Sequence, residues 1–277
     1  MVNTECNSPS ETSLARSTMH WLGVGANSIF WPTVSFGWSL FERTGPRQHA
    51  LMRTWSRTCL RSAGVRVRVR GLENVLRDRP QIFFSNHASI ADICILGATL
   101  PVEYRWLARK EVFRVPFIGW YLSLARHLRI DRGNRESAVR LLQEAADRVR
   151  EGTNVLVFPE GTRSPDGSLL PFKKGVFHLA VAAGVPILPV RVLGSHRIIP
   201  KGGMRLGSGA VDVVVGPPIA TEGLAPDDLP ALMHRVREAM IDLGASDPTP
   251  IRVDARPAEQ GATVLRMPRV AAQGTGQ

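Results

Sequence analysis

Hydrophobic and polar positions change their period several times along the chain, and each change predicts an element. Residues 17–41 carry no Asp, Glu, Lys or Arg and include Trp21, Leu22, Ile29, Phe30, Trp31, Phe36, Trp38 and Phe41. A helix of about 20 residues, at ~1.5 Å per residue, would reach across a hydrocarbon core. Asn27, Ser28, Pro32, Thr33, Ser35 and Ser39 interrupt this stretch, and Pro32 is expected to kink or divide its helix. The pattern predicts a segment that penetrates one leaflet or lies along it. Next, Leu51, Trp55 and Cys59 recur every fourth residue with Met52 beside them, while Arg53, Arg57 and Arg61 repeat on another face. That is an interfacial helix, its tryptophan and leucine immersed and its arginines near lipid phosphates. The alternative is a helix packed on the main domain with solvated arginines.

At Val65-Arg66-Val67-Arg68-Val69-Arg70 the period becomes two, as in a half-buried strand with valines inward. The short apolar runs Ile82–Phe84 and Asn154–Phe158, with Ile187–Leu193 and Val211–Val215, read as further strands. Ser137–Arg150, Val176–Ala183 and Leu229–Leu243 read as helices. This alternation predicts an α/β fold: a mixed, largely parallel sheet flanked by helices, with an N-terminal membrane-associating helical element. The expected partition is a flexible N-terminus at 1–16, the membrane-associating element at 17–63, the α/β domain at 64–243 and a mobile tail at 244–277.

Charge narrows the partners. The net formal charge is +11, and the basic residues are 31 arginines and only 4 lysines, which favours an anionic membrane surface or nucleic acid. The arginine-bearing strand has no interleaved aromatics, and neither zinc-finger spacing nor a basic recognition helix accompanies it, so nucleic acid is not expected. Cys6, Cys59 and Cys94 show neither disulfide nor metal-ligand spacing.

Candidate chemistry sits after two of the apolar runs. His87 and Asp92 follow Ile82–Phe84, at the carboxyl end of a strand, where open α/β sheets place ligand crevices. A carboxylate holding one imidazole nitrogen makes the other a general base. Five helical positions would set the two side chains roughly 140° apart, so the pair forms only if His87 lies at or before the first helical turn. Otherwise His87 caps a helix and Asp92 is solvated. Ser85 and Ser89 lack the glycine-rich elbow of a serine nucleophile, which leaves a substrate hydroxyl to be activated. After the second run comes Pro159-Glu160-Gly161-Thr162-Arg163-Ser164. Gly161 permits a tight turn, and Arg163 offers a planar fork for phosphate or carboxylate. Glu160 either holds that guanidinium or accepts from a ligand hydroxyl. His127 is a candidate for a substrate entrance, and His178 reads as a packed helical histidine.

In this order, Asn86-His87 through Asp92, Ala108–Trp120 with Ile130-Asp131-Arg132, Phe158–Ser164, and Val185-Pro186-Ile187-Leu188-Pro189-Val190 resemble the glycerophospholipid acyltransferase family. The likeness is strongest to its bacterial 1-acyl-sn-glycerol-3-phosphate acyltransferases and, with Phe172-Lys173-Lys174-Gly175, covers roughly residues 65–220. It implies direct acyl transfer, with His87 accepting the proton of an sn-2 hydroxyl and Asp92 orienting His87. Backbone amides near Asn86 or Gly161 are candidates for stabilising the thioester oxyanion. The resemblance implies acceptor binding by Lys110, Glu160, Gly161, Thr162 and Arg163, with Arg109, Lys173 and Lys174 contacting phosphate or membrane. No cofactor or metal is implied; acyl-CoA or acyl-carrier protein would be the donor and a lysophospholipid the acceptor. The implied location is the bacterial cytoplasmic membrane, catalytic domain on the cytoplasmic side. Another lyso-lipid acceptor, or a noncatalytic membrane-association module, are the alternative readings.

Overall fold

A computed structural model describes residues 13–41, 46–116, 118–130 and 135–245. Of the expected terminal segments at 1–16 and 244–277, residues 1–12 and 246–277 lie outside the described residues. Two helices, α1 (Leu14–Trp38) and α2 (Pro46–Ser62), precede the strands β1 (Val65–Arg70) and β2 (Ile82–Ser85). Then come α3 (Ala91–Thr99), β3 (Tyr104–Arg109), α4 (Ile118–Leu124), β4 (Leu128–Ile130), α5 (Arg135–Arg150) and β5 (Asn154–Val157). The chain continues through α6 (Lys174–Ala183), β6 (Ile187–Leu193), β7 (Gly209–Val215) and α7 (Leu229–Ala245).

Seven strands form one sheet in the order β1-β7-β6-β2-β5-β3-β4. All neighbours are parallel except β6 and β7. The mixed, largely parallel sheet is therefore present, and its buried strands read as continuous apolar runs because both faces are covered. Alternation survives inside them. Phe83 packs with Leu60, Ile95 and Leu96 of α2 and α3 on one face, while Ile82 and Phe84 pack with Ala145, Val149, Phe177 and Val236 of α5, α6 and α7 on the other. Strand β1 lies parallel to β7 with Arg68 opposite Asp212. The Arg68 fork grips that carboxylate with two 2.6 Å hydrogen bonds, so this outward arginine is spent within the sheet.

The N-terminal element differs from expectation in two respects. Pro32 does not divide α1, which runs unbroken over 25 residues after its N-cap Ser13, whose hydroxyl accepts from Arg16 N. Proline removes one backbone donor, and the rest of the ladder carries the helix through. Nor is α2 immersed by its apolar stripe: Met52, Ser56, Cys59 and Leu60 are buried, and Trp55 Nε1 donates to Ser28 Oγ of α1. Its stripe is covered by α1 and α3, so the exposed apolar surface belongs to α1. There Leu14, Met19, Leu22, Ile29, Phe30, Phe36, Leu40 and Phe41 are each more than half exposed, counting the turn that follows the helix. No described helix is long and apolar enough to cross a membrane. At the other end, α7 extends to Ala245, two residues beyond the expected stop.

Candidate active site

Parallel pairing brings the two candidate clusters together. Phe84 of β2 is in register with Val157 of β5, so His87 and Glu160, each three residues further on, meet at the same level above the sheet. Helix α3 begins only at Ala91, which leaves His87 before the first turn and Asp92 within it, the arrangement their pairing requires. His87 Nδ1 lies 2.9 Å from Asp92 Oδ2. That oxygen also accepts from Ala88 N at 2.8 Å and Ser89 N at 2.9 Å. Asp92 is wholly buried, while the His87 side chain keeps 17% of its exposure. An ionised Asp92 accepts, so Nδ1 carries the proton and Nε2 keeps a lone pair for a ligand.

The rest of the turn holds His87 still. The ring stacks on Phe158 at 4.0 Å between centroids and 13° between planes, and Phe158 is backed by Trp106. His87 N donates to Glu160 Oε1 at 3.0 Å, and Ser164 N donates to the His87 carbonyl at 2.7 Å. Asn86 is tied to β6 by a reciprocal pair with Val192, Nδ2 to the carbonyl at 2.9 Å and Oδ1 from the amide at 2.7 Å. Ser89 Oγ donates to the Ile199 carbonyl and Ser85 Oγ to the Asn86 carbonyl, so neither hydroxyl is posed as a nucleophile.

Glu160 departs from one of its two sequence expectations, that of holding Arg163. Its second oxygen accepts from Leu170 N at 3.2 Å, so the carboxylate braces two backbone amides and makes no hydrogen bond to Arg163. Burial pushes its pKa up to about 7, against the pull of those two amides and of Arg191, with Asp92 raising it further. Gly161 takes φ +70°, the left-handed conformation that favours glycine. Its amide donates to the Phe158 carbonyl at 3.0 Å, which commits it to the turn rather than to an oxyanion. Arg109, at the end of β3, donates to the Gly161 carbonyl at 3.0 Å, and Lys110 follows it. Lys173 N donates to the Pro159 carbonyl at 2.8 Å, and the Lys173 and Lys174 side chains are exposed. Thr162 is exposed and Arg163 half-buried. His87, Glu160, Arg163, Arg109 and Lys110 thus follow the carboxyl ends of the neighbouring strands β2, β5 and β3.

Two further expectations fail on burial. His127 is buried and its Nδ1 accepts from Trp106 N at 2.8 Å, which removes it from any entrance. Burial and nearby Arg105 and His49 depress its pKa to about 3. His178, expected to be packed, is exposed on α6. Phe158 is a contact of His87 that side-chain patterning does not mark; its place directly after a buried strand is the one signal the sequence carries. Among the described residues no group of His, Cys, Asp and Glu could hold a metal ion.

Residues 66–193 match the family model described as Acyltransferase. A 1-acyl-sn-glycerol-3-phosphate acyltransferase of Pseudomonas aeruginosa is 32% identical over 243 residues, covering 86% of this chain and 93% of that protein. The human 1-acyl-sn-glycerol-3-phosphate acyltransferase alpha is 40% identical over 179 residues, 64% of this chain. The match spans 63% of the human protein's length, under two thirds. The crystal structure of the 1-acyl-sn-glycerophosphate (LPA) acyltransferase PlsC from Thermotoga maritima superposes with a TM-score of 0.72 at 27% identity, covering 85% of this chain and 97% of that one.

Proposed function

The chain belongs to the acyltransferase family, and from that premise we propose that it transfers a fatty acyl group from an acyl thioester to the sn-2 hydroxyl of 1-acyl-sn-glycerol 3-phosphate, forming phosphatidate. The observation that carries the proposal is the buried Asp92 carboxylate on His87 Nδ1 at 2.9 Å, beside an accessible ring edge. His87 Nε2 accepts the hydroxyl proton as the substrate oxygen attacks the thioester carbonyl. Asp92 stabilises the imidazolium that forms, and its own position is fixed by two amides. The tetrahedral intermediate then expels the thiolate, which takes the proton back from Nε2. No covalent enzyme intermediate is needed.

Arg163 takes the acceptor phosphate in this scheme, with Lys110 as a second cation and Thr162 beside them. Glu160 supports His87 from below rather than touching substrate. The donor is acyl-CoA or acyl-carrier protein, and no cofactor enters. The enzyme works at the cytoplasmic membrane of a bacterium, its α1 surface seated in the lipid. The loop at 199–206 connects the two regions: Trp21 Nε1 of α1 donates to the Met204 carbonyl at 2.7 Å, and Ser89 Oγ beside the site donates to the Ile199 carbonyl at 3.0 Å. Exposed Ile90, three residues after His87, adds apolar surface beside the site, so an acceptor can reach it from the bilayer.

The test is an acceptor panel. The purified full chain is offered lysophosphatidate, lysophosphatidylcholine, lysophosphatidylethanolamine and a lyso-ornithine lipid, each with acyl-CoA or acyl-carrier protein, and products are read by mass spectrometry. Phosphatidate should dominate. Acylation of another acceptor in its place would overturn the acceptor assignment, and no product from any thioester would overturn the activity.

A further inference from the structure

Helix α2 carries a basic feature that acyl transfer leaves unused. His49, Arg53 and Ser56 fall at i, i+4 and i+7, on one face of the helix. With Thr54, Arg57 and Glu103, among others, His49 and Arg53 line an open cleft of ≈ 480 Å³. His49 is 8% exposed, and its Nε2 is buried with no hydrogen-bond partner among the described residues. Tyr104 packs on the His49 ring at 5.6 Å, and the Tyr104 hydroxyl and Ser56 Oγ are likewise buried without partners. Each such polar atom is costly to leave unpaired, and of these three residues His49 is the one that lines the cleft.

The charges point to the occupant. No carboxylate pairs with Arg53 or Arg57 among the described residues, while the one lining carboxylate, Glu103, is taken by Arg105 at 2.6 Å. Burial, with the guanidiniums of Arg57 and Arg77 nearby, lowers the pKa of Arg53. Burial and Arg53 pull His49 down to about 4, so near neutral pH the ring is uncharged and can donate one hydrogen bond. Two crowded guanidiniums with a neutral donor beneath them suit a phosphate. Gln48, next to His49, is hydrogen-bonded to Ser35 of α1. From there the chain leaves α1 through a turn with exposed Leu40 and Phe41, with the Arg47 guanidinium 5.4 Å over Trp38. Apolar side chains beside a basic cleft fit a lipid headgroup.

We propose that the cleft of His49, Arg53 and Arg57 is a second phosphate site, which takes the headgroup phosphate of an anionic phospholipid. It is separate from the acyl-transfer site, because the rings of Tyr104, Trp106 and Phe158 follow one another in contact between His49 and His87. The site rests on this geometry and stands or falls independently of the reaction.

The test is calorimetric titration of the full chain with dihexanoyl-phosphatidate below its micelle concentration, and in parallel with inorganic phosphate. Arg163→Ala is the background throughout, to remove the acceptor-phosphate contact. Adding Arg53→Gln and Arg57→Gln should weaken lipid binding by about tenfold or more. Adding instead Arg61→Gln and Arg66→Gln, which removes the same charge from exposed positions outside the cleft, should change it by less than about twofold. Inorganic phosphate should bind more weakly than the lipid, with the same dependence on Arg53 and Arg57. Equal affinity for both ligands would reassign the site to free phosphate and overturn the lipid commitment. Unchanged lipid binding in the Arg53/Arg57 variant with a native circular dichroism spectrum, or an equal loss in the Arg61/Arg66 control, would overturn the site itself.

Discussion

Asp92 Oδ2 accepts from an imidazole and two backbone amides at once, so the carboxylate is fixed before any substrate arrives. This much was legible at the residue scale, because His87 and Asp92 are close in sequence and a helix beginning between them brings them together. The task of Glu160 was not legible. Its partners are the amides of His87 and Leu170, and a backbone donor leaves no mark in side-chain patterning. Glu160 therefore makes a prediction about pH. Its folded pKa is raised from 4.5 to about 7, so its contribution to stability is full below pH 4.5 and is lost as pH rises through 7. A shift of that size is worth roughly 3 kcal/mol at most. Glu160→Gln removes the titration, and the stability difference between variant and wild type should move in the variant's favour from pH 4 to 8. Chemical denaturation across that range measures it, and a difference independent of pH would contradict the assigned shift.

At the scale of elements, a buried strand ending in a polar turn was the most readable unit. Val157 ends β5 in register with Phe84 of β2, and the turn after each carries the site. Arg163 belongs to the second of these turns, and its prediction concerns acceptor class. Arg163→Ala should cost phosphate-bearing acceptors about 10- to 100-fold in kcat/KM, the worth of a charge-assisted contact. Lysine should rescue only partly, since it lacks the planar fork. Neutral acceptors, where used, should suffer less, and equal losses for both classes with the fold intact would refute a phosphate role. Helix α2 was the least readable element. An amphipathic stripe says that one face is covered but not by what, and α1 and α3 cover the face assigned to lipid. Gly97 shows how closely: a Cβ there would meet Ser56 Oγ of α2 at 2.5 Å.

Across the whole molecule, the sheet brings the turns after β2 and β5 together at its carboxyl end, and α1 adds an apolar surface connected to that end through the loop at 199–206. Alternation of helix and strand patterns disclosed the class of sheet, because buried parallel strands are continuous apolar runs. Strand order was not disclosed, since pairings such as Val65 with Gly209 join residues far apart in the chain. Membrane attachment is best tested without deleting α2, whose Met52 and Leu60 belong to the core. Replacing exposed Leu22, Phe30, Phe36 and Phe41 by asparagine should lower partitioning into anionic liposomes, roughly tenfold per inserted side chain. The loss should persist at high salt, whereas any contribution of surface arginines is screened. Flotation equal to wild type at both salt concentrations would move the membrane surface elsewhere.

The central claim is that His87, held by Asp92, is the base of an acyl transfer, and single-turnover thioester cleavage with lysophosphatidate tests it most directly. Folded, membrane-bound His87→Ala should retain acceptor binding while its chemical step slows by on the order of 10²–10⁴-fold. Asp92→Asn should be slowed severely as well, through lost orientation and charge stabilisation. Phosphatidate formed by His87→Ala at a rate near that of wild type would contradict the account.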